Sequence, residues 1–549
     1  MNALVHEGII AAALRTPDAE ALVYRTERLD YARLATRMRH AADVFLQHGL
    51  QRAQRVAVYL EKRPEAVLAM FGASCAGGVF VPVNPLLKAE QVRHILTDCS
   101  VAMLVTSAER LALLQPVLAQ CSALRAIFVV GPAQSGAGGS ESLDHVSGAV
   151  ASPAGTAILS WEEACQNALH TASDRVSHRV IDADMAAILY TSGSTGKPKG
   201  VVLSHRNLTA GAASVAGYLA NDRHDRILAV LPLSFDYGLS QLTTAFHVGA
   251  AVVLINHLLP RDILNAVRQE RITGLAGVPP LWRQLAPLAW PADCSLRYLT
   301  NSGGSMPGST LLQLQQALPE AQPYLMYGLT EAFRSTYLPP EELARRPGSI
   351  GKAIPNAEIL VVRPDGTLCD ADEPGELVHR GALVSLGYWN DPLKTAQRFR
   401  PLHRHEVGLP FAEMAVWSGD TVRADAEGFL YFISREDEMI KSSGYRISPS
   451  EVEEVLFAQA SVVEAVAIGV PHPALGQAIV VVASLHGDDR GGSAGADALL
   501  AACRAQLPGY MVPTKIVIHE GGLPRNPNGK IDRNLLRRQW QDHFLESHS

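Results

Sequence analysis

The sequence predicts an α/β protein: a large N-terminal part with two layered α/β subdomains plus a small β unit, and a small α+β C-terminal domain. Short Val, Ile and Leu runs alternate with amphipathic stretches, which is typical of parallel strands buried between helices. The chain has 549 residues, too many for one ordinary core. Hydrophobic residues make up 47% of it and charged residues 19%, an ordinary globular composition.

The first predicted subdomain alternates strands and helices. Its strand-like runs are residues 55–60, 79–83, 102–106 and 126–130, and its helix-like stretches are 64–76 and 108–119. The next stretch, residues 131–156, is rich in Gly, Ser and Ala and predicts a surface loop. A second subdomain is predicted from four further strand-like runs, at residues 185–190, 226–231, 251–255 and 296–301.

The last part of the chain changes character twice. Residues 357–378 read as alternating short strands broken by two Pro/Gly turns, which favours a small antiparallel β unit. A strand at 428–434 then leads into the charged residues 435–438, a plausible domain boundary. Beyond it we expect a compact α+β domain with a capped helix from Ser448, strands at 465–470 and 478–485, a loop at 487–496 and a helix at 498–506.

Charge and cysteine content exclude several classes of protein. The formal net charge of −6 gives no reason to expect nucleic acid or an anionic membrane as a partner. The seven cysteines are scattered singly, so neither a disulfide framework nor a zinc site is indicated. The sequence contains no signal-like N-terminus and no run of 18 uncharged apolar residues. We therefore expect a cytoplasmic protein without integral membrane association.

A candidate nucleotide-binding loop follows the strand-like run that ends at Tyr190. Glycines let backbone N–H groups approach phosphate oxygens, hydroxyls add donors, and lysines add positive charge. We expect a nucleoside triphosphate to be bound by Thr191, Ser192, Gly193, Ser194, Thr195, Gly196, Lys197 and Lys199. A Walker A loop is disfavoured, because Thr191 stands where that motif needs glycine and Pro198 where it needs Ser or Thr. A flexible surface turn is the simpler alternative, which the two lysines and the preceding strand disfavour.

With these segments in view, the chain resembles the adenylate-forming superfamily of acyl-CoA synthetases, nonribosomal-peptide adenylation domains and firefly luciferase. The resemblance rests on segments that occur in the family's order: residues 190–200, 231–238, 301–307, 327–331, 418–420, 435–446 and 526–530. It implies ATP-dependent, AMP-forming activation of a carboxylic acid as an acyl-adenylate. It also implies Mg²⁺ and transfer of the acyl group to a pantetheine thiol, of CoA or of a carrier protein.

The resemblance also implies roles for individual residues. Lys530 is similar to the family lysine that contacts the acyl carboxylate and the α-phosphate. Thr330 and Glu331 resemble the pair that meets a phosphate oxygen and Mg²⁺, with Glu331 as the metal ligand. Asp420 resembles the aspartate that accepts hydrogen bonds from the ribose, with Arg435 as its partner. The remaining implied nucleotide-site residues are Gly303, Gly304, Ser305, Tyr327 and Gly328.

By the same resemblance, residues 1–434 form the adenylation domain, residues 435–437 a hinge and residues 438–549 a mobile C-terminal domain. Asp437 matches the hinge residue about which the C-terminal domain rotates after adenylation. The implied thiol tunnel involves Lys441, Ser442, Ser443, Gly444 and Arg446. Ser434 replaces the glycine usual before the hinge arginine, which puts the local backbone geometry in question.

The acid-binding residues implied by the resemblance are Phe235, Asp236, Tyr237, Ser240, Ser302, Met326 and Arg334. Phe235 stands where many acyl-CoA synthetases have histidine. Asp236 resembles the aspartate that holds the substrate ammonium in amino-acid adenylation domains, since a carboxylate in an apolar pocket is costly unless paired. Arg334 could pair with Asp236 in a purely structural role, or meet a second carboxylate on the substrate, and the sequence leaves both open.

Several functions remain as alternatives. The first expectation is an acyl-CoA ligase, and two phrases around residues 234–239 and 327–340 more loosely resemble the exosortase-associated acyl-CoA ligase subgroup. The second, distinguished by Asp236, is an amino-acid adenylating enzyme that loads a separate carrier protein. A luciferase-type oxidative enzyme shares the nucleotide motifs. A non-enzymatic scaffold is disfavoured by Lys197, Glu331, Asp420, Arg435 and Lys530 occurring together.

Overall fold

The computed structural model of the protein describes residues 3–131, 155–170, 177–191, 198–402, 413–435, 439–442, 445–473, 475–486, 492–507, 509–526 and 529–544. The elements as far as residue 204 are α1 (Glu7–Arg15), β1 (Glu20–Tyr24), β2 (Glu27–Asp30), α2 (Tyr31–Gln47), β3 (Arg55–Tyr59), α3 (Pro64–Cys75), β4 (Val79–Pro82), α4 (Ala89–Asp98), β5 (Met103–Ser107), α5 (Ala108–Leu118), β6 (Ala126–Val130), β7 (Ala157–Ser160), α6 (Trp161–His170), β8 (Met185–Thr191) and β9 (Lys199–Ser204).

The central part of the chain continues with α7 (His205–Tyr218), β10 (Arg226–Ala229), α8 (Asp236–Val248), β11 (Ala251–Leu254), α9 (Pro260–Gln269), β12 (Gly274–Gly277), α10 (Pro279–Leu285), β13 (Tyr298–Asn301), α11 (Gly308–Ala317), β14 (Gln322–Tyr327), β15 (Thr336–Leu338) and β16 (Ser349–Ala353). The last part contains β17 (Ala357–Val362), β18 (Gly375–Gly381), α12 (Pro392–Arg398), β19 (Phe399–Pro401), β20 (Met414–Ala424), β21 (Leu430–Arg435), β22 (Ile440–Ser442), β23 (Tyr445–Ile447), α13 (Pro449–Phe457), β24 (Val462–His472), β25 (Gly476–Leu485), α14 (Gly492–Gln506), β26 (Lys515–Ile518) and α15 (Arg533–Trp540).

The first sheet has seven strands in the order β7-β6-β5-β3-β4-β8-β9, parallel except for the antiparallel pair β8–β9. Successive residues of β3 face different cores: Val56 and Val58 belong to one apolar cluster, Ala57 and Tyr59 to another. Because side chains alternate across a strand, this sheet is covered on both faces. The apolar runs predicted as doubly buried strands are confirmed here.

The second sheet has 14 strands, in the order β17-β18-β20-β21-β16-β15-β14-β13-β12-β10-β11-β1-β2, with β19 beside β20. Its β1, β10, β11, β12, β13 and β14 pair in parallel, and the rest are antiparallel. The core between the two sheets draws on α2, α3 and α8, through side chains such as Phe45, Phe71 and Phe246. This is the predicted layered arrangement.

Two sequence assignments need correction. The run at 185–190 was assigned to the second subdomain, but β8 pairs with β4 and β9 in the first sheet. The predicted small β unit is an extension of the second sheet, because β21 pairs with β16. The hairpin β1–β2, which the sequence analysis did not name, also joins the second sheet through β11.

The C-terminal residues form a separate sheet of five strands, in the order β23-β22-β25-β24 with β26 beside β25. One face is covered by α13 and α14, through Leu456 and Leu499, and the other by α15, through Leu536. This agrees with the expected smaller α+β domain. Among the described residues, no helix is long and apolar enough to cross a membrane.

Candidate active site

The predicted nucleotide loop connects two antiparallel strands. Thr191 ends β8 and lies opposite Lys199 at the start of β9. Ser192, Gly193, Ser194, Thr195, Gly196 and Lys197 lie outside the described residues. A Walker A loop leads from a strand into a helix, so this hairpin differs from it in topology as well as in sequence. The hydroxyl of Thr191 is buried and has no hydrogen-bond partner among the described residues.

Lys199 is held in a three-membered polar cluster with Glu331 and Tyr388. The Lys199 Nζ lies 3.0 Å from Glu331 Oε1 and donates to the Tyr388 hydroxyl at 2.8 Å, and that hydroxyl donates to the same Oε1 at 2.6 Å. Burial alone would raise the pKa of Glu331, but the Lys199 ammonium and the Tyr388 hydroxyl outweigh burial and lower it. Glu331 is therefore kept ionised.

Tyr388 was missed by the sequence analysis. It lies 57 residues from Glu331 along the chain, in a loop before α12. A single loop tyrosine forms no chemical pattern, so the sequence offered no signal for it. Burial and the neighbouring Glu331 carboxylate raise the pKa of Tyr388, which keeps its hydroxyl protonated and able to donate.

A second polar pair lies across the second sheet. The Tyr327 hydroxyl, at the end of β14, donates to Asp420 Oδ2 at 2.5 Å. Asp420 is 3% exposed, and its backbone lies opposite Arg435 in the pairing of β20 with β21. Gly328 allows the chain after Tyr327 to pass close to Arg334, since a Cβ there would lie 3.3 Å from the Arg334 Cα. The structure therefore brings Tyr327 and Asp420, two of the residues expected around the nucleoside, into direct contact.

Lys530 reaches this site from the C-terminal domain. Its Cε lies 3.6 Å, and the Phe235 Cζ 3.7 Å, from the position that a Cβ on Gly303 would occupy. Gly303 has φ +79°, a left-handed conformation that favours glycine, so both the backbone shape and the close approach suit this residue. The Lys530 hairpin is closed by Asn526, whose N–H donates to the Lys530 carbonyl at 2.8 Å and whose Oδ1 accepts from the Lys530 N–H at 3.1 Å.

The turn after β13 supplies the other expected residues. Asn301 Nδ2 donates to the Gly304 carbonyl at 3.0 Å and so shapes the turn. Ser302 is buried, whereas Gly304 and Ser305 are exposed. A Cβ on Gly304 would lie 3.2 Å from the Pro279 ring, which packs the turn against α10. This turn thus faces the start of α10 as well as Lys530.

The candidate acid pocket begins at the first turn of α8. Asp236 is 4% exposed, its Oδ1 accepts from the Tyr237 N–H at 2.8 Å, and its Oδ2 lies 3.6 Å from Arg334 Nη1. At that distance the two groups form an ion pair without a hydrogen bond. Burial raises the pKa of Asp236, an effect that Arg334 and Lys530 oppose and Glu331 reinforces. Lys530 Nζ lies 6.0 Å from the ring centroid of Phe235, the residue before Asp236, so the pair lies beside Lys530.

Several residues expected around the acid belong to an apolar cluster that includes aromatic side chains. Tyr237 and Met326 belong to one apolar cluster with Leu231 and Ala276, and the Tyr237 hydroxyl lies 2.5 Å from Thr300 Oγ1. Ser240, one turn along α8 from Asp236, is buried. Tyr218, which the sequence analysis did not name, donates to Met326 Sδ at 2.9 Å and stacks on Tyr337 with ring centroids 4.2 Å apart.

Backbone packing fixes where α8 begins. Gly238 lies in its first turn, and a Cβ there would fall 2.0 Å from the Pro232 carbonyl oxygen. No L side chain fits at that distance, so only glycine lets the helix approach the strand-end loop this closely. This close approach fixes the start of the helix that carries Asp236 and Tyr237.

The expected hinge and tunnel residues are described only in part. Asp437, Ser443 and Gly444 lie outside the described residues. The backbones of Lys441 and Arg446 pair across β22 and β23, and Ser442 is buried opposite Gly476 of β25. Ser434, in place of the usual glycine, lies in β21 opposite Thr421, directly beside a register shift in the pairing of β20 with β21 between Thr421 and Val422.

Known proteins match this chain over most of its length. The family of AMP-binding enzymes matches residues 10–389, and the AMP-binding enzyme C-terminal domain matches residues 451–530. The chain is 30% identical to L-proline–[L-prolyl-carrier protein] ligase of Pseudomonas fluorescens, over 98% of this chain and 99% of that one. It is also 30% identical to a long-chain-fatty-acid–CoA ligase of Salmonella typhimurium, over 96% and 92%. Among solved structures, o-succinylbenzoate CoA synthetase from Bacillus subtilis with its acyl-adenylate intermediate matches with TM-score 0.78 and 26% identity, over 96% of this chain and 97% of that one.

Proposed function

Since the chain belongs to the family of AMP-binding enzymes, we propose that it activates a carboxylic acid with ATP and transfers the acyl group to a pantetheine thiol. In the first half-reaction a carboxylate oxygen of the acid attacks the α-phosphorus of ATP. The new P–O bond forms as the bond to the bridging oxygen breaks, and pyrophosphate leaves. In the second, the thiol sulfur attacks the acyl carbon, the C–O bond to AMP breaks, and the thiol proton is lost to AMP or solvent.

The observation that supports this proposal best is the position of Lys530. Its side chain lies over Gly303, with Nζ 6.0 Å from the ring centroid of Phe235. An ammonium group there would face both the reacting carboxylate and the α-phosphate, where negative charge gathers during attack. Its task is electrostatic, so it needs to be charged and correctly placed rather than to exchange a proton.

The other roles follow from the two polar clusters. Asp420 and Tyr327 would bind the ribose, with Arg435 beside them, and Thr191 to Lys199 the phosphates. Glu331 fits a magnesium ligand, because its lowered pKa keeps it ionised and both observed hydrogen bonds go to Oε1, leaving Oε2 for the ion. Bound Mg²⁺ would neutralise phosphate charge. Thr330, buried at the start of a short 3₁₀ turn, is adjacent to Glu331 and suited to a phosphate oxygen.

We further propose the expected boundaries: an adenylation domain at residues 1–434, a hinge at 435–437 and a mobile domain at 438–549. β21 ends at Arg435 in the large sheet, and β22 begins at Ile440 in the small one, which supports a connector between them. Rotation about Asp437 would withdraw Lys530 and bring the segment 441–446 to the site for the thiol. The acceptor is CoA or a separate carrier protein, and we propose a cytoplasmic location.

A second candidate is an enzyme that adenylates an amino acid and loads it onto a carrier protein. Asp236 favours it, because a buried carboxylate at the start of the acid pocket could hold a substrate ammonium. One relative is named as a ligase of L-proline and a carrier protein, and another, at the same 30% identity, is named as a ligase of long-chain fatty acids and CoA. Overall sequence similarity therefore favours neither substrate, and the choice between an amino acid and another carboxylic acid depends on the residues of the acid pocket.

The test is ATP–pyrophosphate exchange with a panel of fatty, aromatic, dicarboxylic and amino acids. Wild-type protein should exchange with at least one class, and Lys530→Ala should reduce that exchange by about a hundredfold or more, the usual effect of losing a charge that stabilises a transition state. Lys515→Ala, which removes a lysine elsewhere in the same domain, is the matched control and should stay within about twofold. Full exchange by Lys530→Ala would show that the lysine has no part in adenylation.

A further inference from the structure

We infer that the acid pocket is built for a substrate with a second carboxylate, which is bound by the free edge of Arg334. This inference rests on the proposed function and adds the class of acid. Arg334 is 2% exposed, and its Nε and Nη2 have no hydrogen-bond partner among the described residues. Buried, unsatisfied donors on a cation are costly, so an acceptor from a bound molecule is expected there.

The geometry of the free edge specifies the acceptor. Nε and Nη2 lie on one side of the guanidinium and donate in parallel, a fork that matches the two oxygens of a carboxylate. The same edge binds carboxylates elsewhere in this chain: Arg206 holds Asp182 through Nε and Nη2 at 2.7 and 3.1 Å. Arg363 holds Glu373 through the same two atoms.

Asp236 does not satisfy Arg334 in this way. Its Oδ2 lies 3.6 Å from Nη1, which instead donates to the Phe333 carbonyl at 3.0 Å. The guanidinium carbon sits 4.7 Å from the Tyr237 ring centroid, so the cation is flanked by a wall of the pocket. Asp236 keeps Arg334 in place electrostatically, while the fork stays available to the substrate.

The experiment compares pyrophosphate exchange for acids of matched length with one or two carboxylates, such as hexanoate with adipate and butyrate with succinate. Wild-type kcat/KM should favour the dicarboxylic member by about tenfold or more, since a site with unpaired buried donors discriminates strongly. Arg334→Lys keeps the charge but loses the fork, and should reduce that preference at least tenfold in a protein whose melting temperature matches wild type.

Each outcome has a defined meaning. Exchange with monocarboxylic acids at equal or higher kcat/KM would overturn the inference and leave the proposed function intact. Preference for amino acids that is lost in Asp236→Asn but kept in Arg334→Lys would overturn it in favour of an ammonium site. Exchange with no acid in the panel would overturn the proposed function. The wild-type comparison needs no variant, so a folding defect in Arg334→Lys does not prevent the test.

A different observation supports a second inference: we propose that Arg283 is a positioning residue for the first half-reaction. Arg283 lies on α10 of the N-terminal part, and its Nη1 donates to the Val463 carbonyl of the C-terminal domain. Its guanidinium carbon also lies 4.1 Å from the ring centroid of Phe457, at the end of α13. Arg283 therefore contacts the C-terminal domain at two residues, Val463 and Phe457.

A series of contacts connects the Arg283–Val463 hydrogen bond to Lys530. Glu464, the residue after Val463, pairs through Oε1 with Arg525 and accepts from the Leu523 N–H through Oε2 at 2.7 Å. Arg525 Nη1 in turn donates to the Gly529 carbonyl at 2.6 Å, and its backbone pairs with Ile531. Lys530 lies between Gly529 and Ile531 in the sequence. Its hairpin is therefore connected by these contacts to β24, the strand that Arg283 contacts.

The other end of α10 meets the active-site turn. A Cβ on Gly304 would lie 3.2 Å from Pro279, the first residue of α10, and a Cβ on Gly303 3.5 Å from Val278. One short helix thus contacts the turn beneath Lys530 and the domain that supplies Lys530. In this geometry Arg283 stabilises the orientation of the C-terminal domain that serves adenylation.

The test separates the two half-reactions. In Arg283→Ala, the rate of ATP–pyrophosphate exchange should fall by about tenfold or more. This is the size expected when one charge-assisted contact couples the position of the C-terminal domain to adenylation. Conversion of supplied acyl-adenylate and CoA or pantetheine to thioester should be unchanged or faster, and Arg283→Lys should restore part of the exchange. Equal loss in both half-reactions, or no loss in either, would overturn the inference. Unchanged exchange in Arg283→Ala would do so while the proposed function stands.

Discussion

Replacing Tyr388 by phenylalanine should slow adenylation without unfolding the protein. The change removes only the hydroxyl that donates to Glu331 Oε1 at 2.6 Å and accepts from Lys199 Nζ at 2.8 Å. Lys199 and Glu331 keep their direct contact of 3.0 Å. The carboxylate would therefore remain in place but lose one of the two donors that hold it ionised and oriented.

The size of the effect follows from the type of contact. A hydrogen bond to a charged group contributes about 1.5–3 kcal/mol, which corresponds to about a 10- to 150-fold loss of kcat/KM if the contact is needed in the transition state. The Tyr388 hydroxyl also lowers the pKa of Glu331. Its removal should move the acidic limb of the pH–rate profile towards higher pH, because Glu331, as the proposed Mg²⁺ ligand, would have to be ionised.

The assay is pyrophosphate exchange from about pH 4 to 8 at several magnesium concentrations, beginning just below the ordinary glutamate pKa of about 4.3. The apparent magnesium affinity should fall along with kcat/KM. Tyr431→Phe is the matched control, since its hydroxyl also approaches a carboxylate, Asp425 Oδ2 at 3.3 Å, away from the site. A Tyr388→Phe enzyme within about twofold of wild type, with unchanged magnesium dependence, would refute the reasoning.

Two further predictions concern stability. Gly238→Ala should cause severe destabilisation, because its Cβ would fall 2.0 Å from the Pro232 carbonyl oxygen. Gly217→Ala, in open space within α7, should instead raise the unfolding free energy by about 0.5–1 kcal/mol. Chemical denaturation of both variants checks the pair, and similar effects would contradict it. Acid should also destabilise the fold through buried histidines. Burial lowers the pKa of His379 to about 3, well below that of the unfolded chain, so the unfolded state binds the additional proton. Each such histidine should cost about 1.4 kcal/mol per pH unit below about 6.5, and a urea midpoint that stays constant from pH 6.5 to 5 would contradict this.

The positions of most strands could be predicted, because an apolar run is a local feature of the sequence. Which strands pair with each other could not be predicted. The run at 185–190 has the composition of any doubly buried strand, and nothing in it shows that β8 pairs with β4 rather than with β10. β2 was missed because its four residues, Glu-Arg-Leu-Asp, contain a single apolar side chain. Pairing depends on contacts distant in sequence, which composition does not encode.

The site residues also fall into those that the sequence indicated and those that it did not. The resemblance implied that Asp236 and Arg334 are both acid-binding residues and left open whether they pair, and in the structure their charged groups lie 3.6 Å apart. Tyr388 and Arg283 were not expected, because each is a single residue without a surrounding pattern. Their roles arise from where distant segments meet: a loop beside Glu331 for one, the junction of two domains for the other.

The close approach at Gly238 limits how this enzyme could be redesigned for other acids. The proposed pocket residues Tyr237 and Ser240 lie on α8, and we expect their exchange to alter the size and polarity of the proposed pocket. The backbone that presents them cannot be moved in the same way, because the helix is set against the Pro232 carbonyl. Libraries that vary side chains while keeping residue 238 as glycine should therefore retain folded members, whereas insertions or shifts at this helix start should eliminate them.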